Sequence, residues 1–428
     1  MGPNSLELIK NLKQFINYKI ILLFFDIIIL SSNNIILIKD INQIKVVINV
    51  KFCHKCLYPD TKPQLNFNDE GICSACINHE LKNKIDWIKK ENELRDILKK
   101  YSSHGNHYDC IIPVSGGKDS HYQVHTIIKK FGLNPLVINF HPVDQTEIGK
   151  KNLQNLKNIG VDCIEFSPNP KIYQKLARFG LKELGDFQWP EHIGIFTIPA
   201  QFAVKLNIPL IIWGENPQFE YGKFTDIDNE TILDRKWLEE NGGYFLDKIK
   251  PIDMIRYGFE IKDLHPYIYP TDAEINSVGV RGIFLGTYLR WDIFKQLEIV
   301  KEIGFQENDI AIEGTYNKWE NLDVYYTVFH DYFKFLKYGF GRATDHASIE
   351  IRYGRIKRDE GLKLIKKYEG KIPKRFIKNF LDDASLTMDE FIQICDKFTN
   401  KKIFKTDEKN NLIRDENGDV IKLKFDNE

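Results

Sequence analysis

The segment that most constrains the fold is Ser115-Gly-Gly-Lys-Asp-Ser120, because it follows an apolar run and precedes a helical one. The apolar run, residues 109–114, predicts a buried strand, and residues 121–131 predict a helix. Glycines allow a tight turn that points successive backbone N–H groups at a phosphate, and the start of the following helix adds its positive end. We therefore predict a phosphate-binding loop.

Within this loop we assign roles by chemistry. Lys118 supplies a charge for a phosphate oxygen, and Ser115 and Ser120 offer hydroxyls. Asp119 is expected to help hold Mg²⁺ or to orient the loop. The spacing differs from GxxxxGK[ST], so this is not a Walker A loop. A turn whose glycines serve geometry alone is the alternative, and the complete string between strand and helix disfavours it. The nucleotide-binding set is Ser115, Gly116, Gly117, Lys118, Asp119, Ser120, Gly214 and Glu215, with Lys118 and Asp119 also catalytic.

Apolar runs at residues 136–140, 161–166 and 208–214 alternate with helical patterns at 147–159 and 195–206. This alternation predicts an α/β fold with a parallel, Rossmann-like sheet, whose ligands bind beyond the carboxyl ends of the strands. After about residue 260 the pattern becomes mainly helical, and a hairpin is predicted to turn at Asn417-Gly418. The expected divisions are an atypical N-terminal extension, a cysteine module with a linking helix, the ATP-binding domain, and a helical substrate or partner region with a hairpin tail: residues 1–50, 51–102, 103–260 and 261–428.

Four of the seven cysteines form two CxxC pairs, Cys53–Cys56 and Cys73–Cys76. This spacing is typical of a tetrahedral Zn²⁺ site. An iron–sulfur cluster is the main alternative, and a redox disulfide is disfavoured because it needs only one CxxC. A site closed by four cysteines has no open position, so we expect the metal to stabilise the fold and not to catalyse. Reduced thiolates indicate a reducing compartment.

Three glycine-punctuated stretches carry the residues expected on the substrate side. Residues 213–222 follow a predicted strand, residues 285–292 contain Arg, Trp and Asp together, and residues 337–348 contain a Gly-Arg pair and an Asp-His pair. Asp345 and His346 are a candidate acid–base pair. Taken singly, each residue has a structural reading, as a capping, surface or core group. The candidate substrate-binding residues are Asn216, Glu220, Tyr221, Arg290 and Arg342.

Charge and hydropathy limit the partners. The 60 basic and 60 acidic residues balance, which disfavours a protein that coats nucleic acid, although a local basic groove remains compatible. The apolar run Ile20–Leu30 has eleven residues, too few for a membrane span of roughly 20. Its length and basic flank also fit a signal peptide, but ATP chemistry and reduced thiolates favour the cytoplasm. We expect no membrane and no nucleic-acid partner.

Together, the Cys₄ module, SGGKDS, WGENPQFEYG, LGTYLRWD and KYGFGRATDHASIEIRYGRIKRDEG resemble the N-acetyl sugar amidotransferase family of the PP-loop ATP pyrophosphatase superfamily. The resemblance covers about residues 51–380. It implies an adenine nucleotide alpha-hydrolase-like core with a zinc-ribbon module. The family loop carries over to residues 115–120 without departure, whereas the first fifty residues depart from the family's usual start.

The resemblance implies an ATP-dependent enzyme of surface-glycan or lipopolysaccharide biosynthesis. Such an enzyme would adenylate the acetamido oxygen of an N-acetylated sugar, and ammonia would displace AMP to give an acetamidino sugar. The implied cofactors are ATP, Mg²⁺ and structural Zn²⁺. Because the chain has no recognisable glutaminase motif, a separate glutaminase subunit is expected to supply the ammonia. The alternatives are a tRNA-modifying PP-loop enzyme and a zinc-bearing scaffold that binds nucleotide without turnover.

Overall fold

The computed structural model describes residues 50–222, 232–233, 235–241 and 249–423, and three strands nearer the N-terminus. The chain forms two units, Met1–Asn49 and Val50–Glu428. In the first unit, β1 (Lys19–Leu23), β2 (Asp26–Leu30) and β3 (Ile35–Ile38) pair as an antiparallel meander. The other residues before Val50, and hence most of the N-terminal extension considered above, lie outside the described residues.

The second unit contains a six-stranded sheet. Its strands are β4 (Cys110–Pro113), β5 (Pro135–Phe140), β6 (Asp162–Phe166), β7 (Leu210–Trp213), β8 (Ile232–Leu233) and β9 (Arg281–Phe284). The spatial order is β6-β5-β4-β7-β9-β8, and every pair is parallel except the edge pair of β8 and β9. The predicted parallel α/β fold is therefore confirmed.

One sheet strand lies in the segment expected to be mainly helical. Strand β9 has only four residues, Arg-Gly-Ile-Phe, too few to show a period in the sequence. It reaches the sheet because a Cβ on Gly282 would stand 2.7 Å from the carbonyl oxygen of Leu233, so only glycine allows the two backbones to pair this closely. The domain boundary near residue 260 stays a prediction.

Helices cover both faces of the sheet and form the C-terminal region. They are α1 (Ser74–Lys82), α2 (Trp87–Tyr101), α3 (Lys118–His125), α4 (Glu147–Lys157), α5 (Pro170–Phe179), α6 (Trp189–Leu206), α7 (Pro217–Tyr221), α8 (Arg235–Asn241), α9 (Ile261–Leu264), α10 (Asp272–Val278), α11 (Leu285–Tyr288), α12 (Ile293–Glu302), α13 (Thr327–Tyr338), α14 (Arg342–Arg352), α15 (Arg358–Tyr368), α16 (Ile377–Ala384) and α17 (Met388–Phe398). Helices α3 and α5 each continue into one π turn, Thr126–Lys130 and Gly180–Leu184.

The sheet separates two apolar cores, because successive side chains along each strand point to opposite faces of the sheet. On β4, Ile111 joins the core that also contains residues of α6, whereas Cys110 and Ile112 join the core beneath α2 and α3. The expected burial of Cys110 in a strand is confirmed, and Cys163 on β6 is half-buried. Since both faces are covered, the open places for a ligand lie at the strand ends.

Near the C-terminus, the predicted turn at Asn417-Gly418 is confirmed. The backbone N–H of Asp415 donates to the carbonyl of Asp419 (2.9 Å), and Arg414 pairs with Val420. Among the described residues, no helix is both long and apolar enough to cross a bilayer.

Candidate functional site

The glycine-rich loop joins the carboxyl end of β4 to the first turn of α3. Gly116 has φ +98°, and a Cβ there would lie 2.8 Å from the backbone nitrogen of Leu153, so both conformation and space require glycine. The backbone N–H of Ser115 donates to Ser120 Oγ (3.0 Å), and that of Gly117 donates to Ser115 Oγ (3.2 Å). The loop therefore curls over the start of α3, the position at which a helix binds an anion.

Lys118 is the central charge of the loop. Its Nζ lies 2.8 Å from Asp119 Oδ2 and 2.9 Å from Glu320 Oε1. Burial lowers the pKa of Lys118, but the two carboxylates outweigh burial and raise that pKa above its ordinary value. The ammonium group is thus held charged and in one place by its sequence neighbour Asp119 and by Glu320, which lies far away in the sequence.

Two acids beside the loop have unused oxygens. Asp119 Oδ1 and Asp323 Oδ1 are buried and have no hydrogen-bond partner among the described residues. Asp323 faces the loop closely, since a Cβ on Gly117 would lie 3.6 Å from Asp323 Oδ2. Burial raises the pKa of Asp323 to about 6. Buried carboxylate oxygens without donors suit a hard divalent cation, so these residues fit Mg²⁺.

Two cavities adjoin the loop, and the larger of these two, of about 380 Å³, opens over it. One part of its wall is polar, with Lys118, Asp119 and Glu320. Another part is apolar and includes Phe140, Ile195 and Trp213. A charged end beside an apolar end matches a ligand that joins phosphates to a flat ring.

The smaller cavity, of about 120 Å³, adjoins the larger one. The two cavities share Lys118, Asp119, Glu320 and Arg342 in their walls. Besides Lys118 and Asp119, six residues singled out in the sequence line the smaller cavity, and they come from two separate stretches: Glu215, Glu220, Tyr221, Arg342, Asp345 and His346. The structure therefore places two of the three substrate-side stretches around one space next to the loop.

Asp345 and His346 both line this cavity, but each has other partners. Asp345 accepts a hydrogen bond from Tyr58 OH (3.0 Å) and pairs with Lys334. Although burial raises the pKa of Asp345, Lys334 leads the cations that lower it to about 2. His346 Nδ1 lies 2.8 Å from Thr315 Oγ1, and its Nε2 lies 3.7 Å from Glu320 Oε2. Their joint acid–base role stays a prediction.

Glu215 and Glu220 have different surroundings. Burial, followed by repulsion from Asp119, raises the pKa of Glu215 to about 8, so this carboxyl carries a proton at neutral pH. Glu220 instead forms an ion pair with Lys82, and both side chains are at least nine-tenths buried. One wall of the smaller cavity thus holds a neutral acid beside a compensated charge.

Besides Gly116 of the loop and the four cysteines, three predicted site residues line neither cavity. Gly214 and Asn216 are buried, and the Asn216 amide donates to Thr287 Oγ1 (3.1 Å). Gly214 leaves room for the Gln123 side chain, because a Cβ on residue 214 would lie 2.5 Å from the Gln123 amide nitrogen. Arg290 is exposed and donates to Asn83 Oδ1 (2.9 Å). Their ligand-binding roles stay predictions.

The four cysteines of the two CxxC pairs lie together and fully buried. Cys53 and Cys76 have their Sγ atoms 3.8 Å apart, and Cys56 and Cys73 have theirs 3.6 Å apart. A tetrahedral ion with bonds of about 2.3 Å to sulfur has sulfur–sulfur edges of about 3.8 Å. The arrangement therefore fits one tetrahedral metal ion.

The Cys₄ module, residues 50–82, supplies part of the support for the smaller cavity. Lys82 and Tyr58 reach Glu220 and Asp345, as described above. Arg352 donates to the Glu220 carbonyl (3.2 Å), and its guanidinium lies 5.4 Å from the Tyr58 ring centre. Metal site and cavity are therefore joined by buried polar contacts.

Several residues of the site escaped the sequence analysis. Glu320 and Asp323 lie in the turn-like segment before α13, and Lys334 lies on α13 itself. Lys62 of the Cys₄ module lies 5.7 Å from the Tyr221 ring centre, and burial lowers the pKa of Lys62 to about 8. None belongs to a recognisable motif. A lone acid next to Trp319 was the only available signal.

Comparison with known proteins gives partial matches. Residues 313–415 match the family described as "LPS biosynthesis protein WbpG-like, C-terminal domain". A segment of 108 residues, 25% of the chain, is 32% identical to an uncharacterized protein of Methanocaldococcus jannaschii, of which it covers 38%. The fold aligns with NMN synthetase from Francisella tularensis at TM-score 0.30 and 14% identity, over 63% of this chain and 94% of that chain. The matched C-terminal region contains Glu320, Arg342 and His346.

Proposed function

We propose that this protein is an ATP-dependent PP-loop enzyme that converts the acetamido group of an N-acetylated sugar into an acetamidino group for lipopolysaccharide or surface-glycan biosynthesis. The observation that carries the proposal is the position of Lys118, which stands at the junction of two cavities between Asp119 and Glu320. The likeness of residues 313–415 to WbpG-like proteins supports the pathway.

In this proposal ATP occupies the larger cavity. The adenine lies against the apolar wall near Phe140 and Trp213, and the phosphates lie on the glycine-rich loop. Asp119 and Asp323 would hold Mg²⁺, and the bound ion would offset the charge that builds on the departing pyrophosphate. Lys118 is already charged and fixed, so it needs no rearrangement when the α-phosphate is attacked.

The acetamido group enters the smaller cavity. Its oxygen attacks the α-phosphorus, the α–β phosphoanhydride bond breaks, and pyrophosphate leaves with that electron pair. Ammonia then adds to the activated carbon, the carbon–oxygen bond to AMP breaks, and the amidine forms after loss of a proton. Glu215, protonated at neutral pH, can donate to an acceptor oxygen, and Arg342 offsets negative charge between the cavities.

We further propose that ammonia arrives from a separate glutaminase subunit in the cytoplasm. The Cys₄ site would hold Zn²⁺, which would be structural because four thiolates leave no open position. The tetrahedral spacing of the sulfurs supports zinc over a cluster that needs several iron atoms.

The experiment is ATP–pyrophosphate exchange by the full chain. N-acetylated sugars, free or nucleotide-linked, should stimulate exchange, and tRNA should not. With ammonia present, AMP and the amidino sugar should form together. Lys118→Ala should lower the rate by about 10²–10³-fold, while Lys130→Ala, which removes an exposed lysine paired with Glu91, should change little. Stimulation by tRNA alone, or full turnover by Lys118→Ala, would contradict the proposal.

A further inference from the structure

A second group of metal-type ligands lies at the edge of the larger cavity. Asp186 follows the π turn Gly180–Leu184, His192 lies near the start of α6, and His330 lies on α13. No motif in the sequence joins them, because 138 residues separate the two histidines (330 − 192). The fold alone brings them together.

Both imidazoles face the same carboxylate. His330 Nδ1 lies 3.0 Å from Asp186 Oδ1, and His192 Nδ1 lies 3.6 Å from Asp186 Oδ2. One ligand atom from each of the three residues lies within 4.8 Å of the others. The carboxyl is almost fully buried, while both histidines remain partly open to solvent. These separations suit three ligands that share one ion at about 2.0–2.2 Å.

The backbone holds Asp186 in a fixed position. A Cβ on Gly180 would lie 2.4 Å from the Asp186 carbonyl oxygen, and Gly185 takes φ +62° against the ring of Phe398. The backbone N–H of Gln188 donates to Asp186 Oδ1 (3.0 Å). The close contact with Gly180 and the hydrogen bond from Gln188 both fix Asp186, so the position of this ligand is set before any ion binds.

The side that faces the cavity has room for more ligands. Gln188, Glu191, His192 and Thr327 all line the larger cavity. Gln188 is 3% exposed, and its Oε1 is buried without a hydrogen-bond partner among the described residues. A buried oxygen without a partner, on a residue whose backbone N–H binds Asp186, is costly unless water or another group bound there pairs with it.

We propose that Asp186, His192 and His330 form a binding site for a divalent transition metal, separate from the Cys₄ site and open toward the larger cavity. Two imidazole nitrogens and one carboxylate oxygen suit Zn²⁺ or another borderline transition-metal ion better than a hard ion such as Mg²⁺. Three protein ligands leave a coordination position for water or for an oxygen of a cavity ligand. The site does not depend on the reaction proposed above.

The test uses the full chain with zinc first loaded into the Cys₄ site and excess metal removed. Mn²⁺ is then titrated in excess Mg²⁺, which occupies the carboxylates of Asp119 and Asp323, and its binding is followed by electron paramagnetic resonance. The wild type should bind one further equivalent. His330→Ala and Asp186→Asn should each lower the affinity for Mn²⁺ by at least about tenfold, whereas His265→Ala, an exposed histidine elsewhere, should match the wild type.

A second readout protects against misfolded variants. Co²⁺ in the Cys₄ site gives thiolate charge-transfer bands, whereas Co²⁺ on nitrogen and oxygen gives only weaker ligand-field bands. His330→Ala should keep the thiolate charge-transfer bands of the Cys₄ site and lose the ligand-field bands of the second site. The retained charge-transfer bands also show that the variant is folded. If the wild type takes up no second ion in either titration, or if the variants bind it with wild-type affinity, the site is a hydrogen-bonded Asp–His cluster and the proposal is wrong.

Discussion

The two cavities meet at Lys118, yet the chain builds them in different ways. In the larger cavity the glycine-rich loop is one continuous stretch, residues 115–120, on the edge of the sheet, and residues 188–192 and 320–327 add further polar side chains. The smaller cavity is assembled from residues near 215–221, 320 and 342–353, and the Cys₄ module supports it from behind. Among the described residues, none of the Cys₄ module lines either cavity, but Lys82 and Tyr58 of the module contact Glu220 and Asp345, which line the smaller one.

Under the proposed function, this difference separates two tasks. A triphosphate is the same in every ATP-using enzyme, so a short local motif is sufficient to bind it. An acceptor must be distinguished by shape and charge, which requires side chains from several elements held by tertiary contacts. Disturbing the Cys₄ module should therefore affect the smaller cavity first.

The largest expected effect follows from removing the Cys₄ metal. A structural zinc site contributes on the order of 10 kcal/mol to folding of its module. Chelator-treated wild type should lose acceptor-dependent exchange while it still binds ATP, as measured by calorimetry. Cys53→Ser should lose the metal and most of its solubility, measured by elemental analysis and soluble yield.

Cys163→Ser is the matched control, since Cys163 is half-buried on β6 and lies outside the cluster. It should retain metal and activity. If chelation abolished ATP binding and acceptor-dependent exchange together, the two cavities would not be supported independently.

The next effect concerns the buried pair of Lys82 and Glu220. Lys82→Met leaves the Glu220 carboxylate buried without its partner, which should lower the free energy of unfolding by about 3–5 kcal/mol. Replacing both residues, as Lys82→Met with Glu220→Leu, removes the uncompensated charge and should recover most of that loss. Urea unfolding measures both. An equally large loss in the double variant would show that packing, and not charge, joins the module to the cavity.

A smaller effect is expected from Tyr58→Phe. This change removes the hydroxyl that donates to Asp345 (3.0 Å). A hydrogen bond to a charged group contributes about 1.5–3 kcal/mol, and the loss should appear in urea unfolding. Tyr108→Phe removes a hydroxyl that donates to the exposed Asp162, so its effect should stay below about 0.5 kcal/mol. Equal effects of the two variants would contradict a special role of Tyr58 in the smaller cavity.

The same contrast explains what the sequence could predict. Strand and helix periods, the glycine loop and the CxxC spacing are local, and they predicted the parallel sheet, the hairpin turn and the clustering of four thiols. Helix α6 begins at Trp189, before the predicted start near 195, because Trp189-Pro190 opens the helix with proline in its first turn.

The partners of these local features were not predictable. Glu320 reaches Lys118 across roughly 200 residues, and nothing in the segment around it has a period or a motif. Asp186, His192 and His330 likewise depend on the packing of α6 against α13. Arg290 was selected because it precedes a Trp-Asp pair in the sequence, but its side chain is exposed and donates to Asn83. Long-range contacts of this kind depend on tertiary packing and leave no mark in a single sequence.

The last expected effect is a pH dependence carried by Glu215. Burial raises the pKa of this carboxyl to about 8 in the folded protein, whereas an unfolded glutamate has a pKa of about 4.3. Between these values the folded state binds one proton more than the unfolded state, so the free energy of unfolding falls as pH rises. Glu215→Gln removes this contribution and should flatten the profile, with the variant gaining on the wild type from pH 5 toward pH 8. Urea unfolding at several pH values measures the difference. Parallel profiles would mean that Glu215 is ionised in the folded state, and that the wall of the smaller cavity carries a charge where a proton donor is proposed.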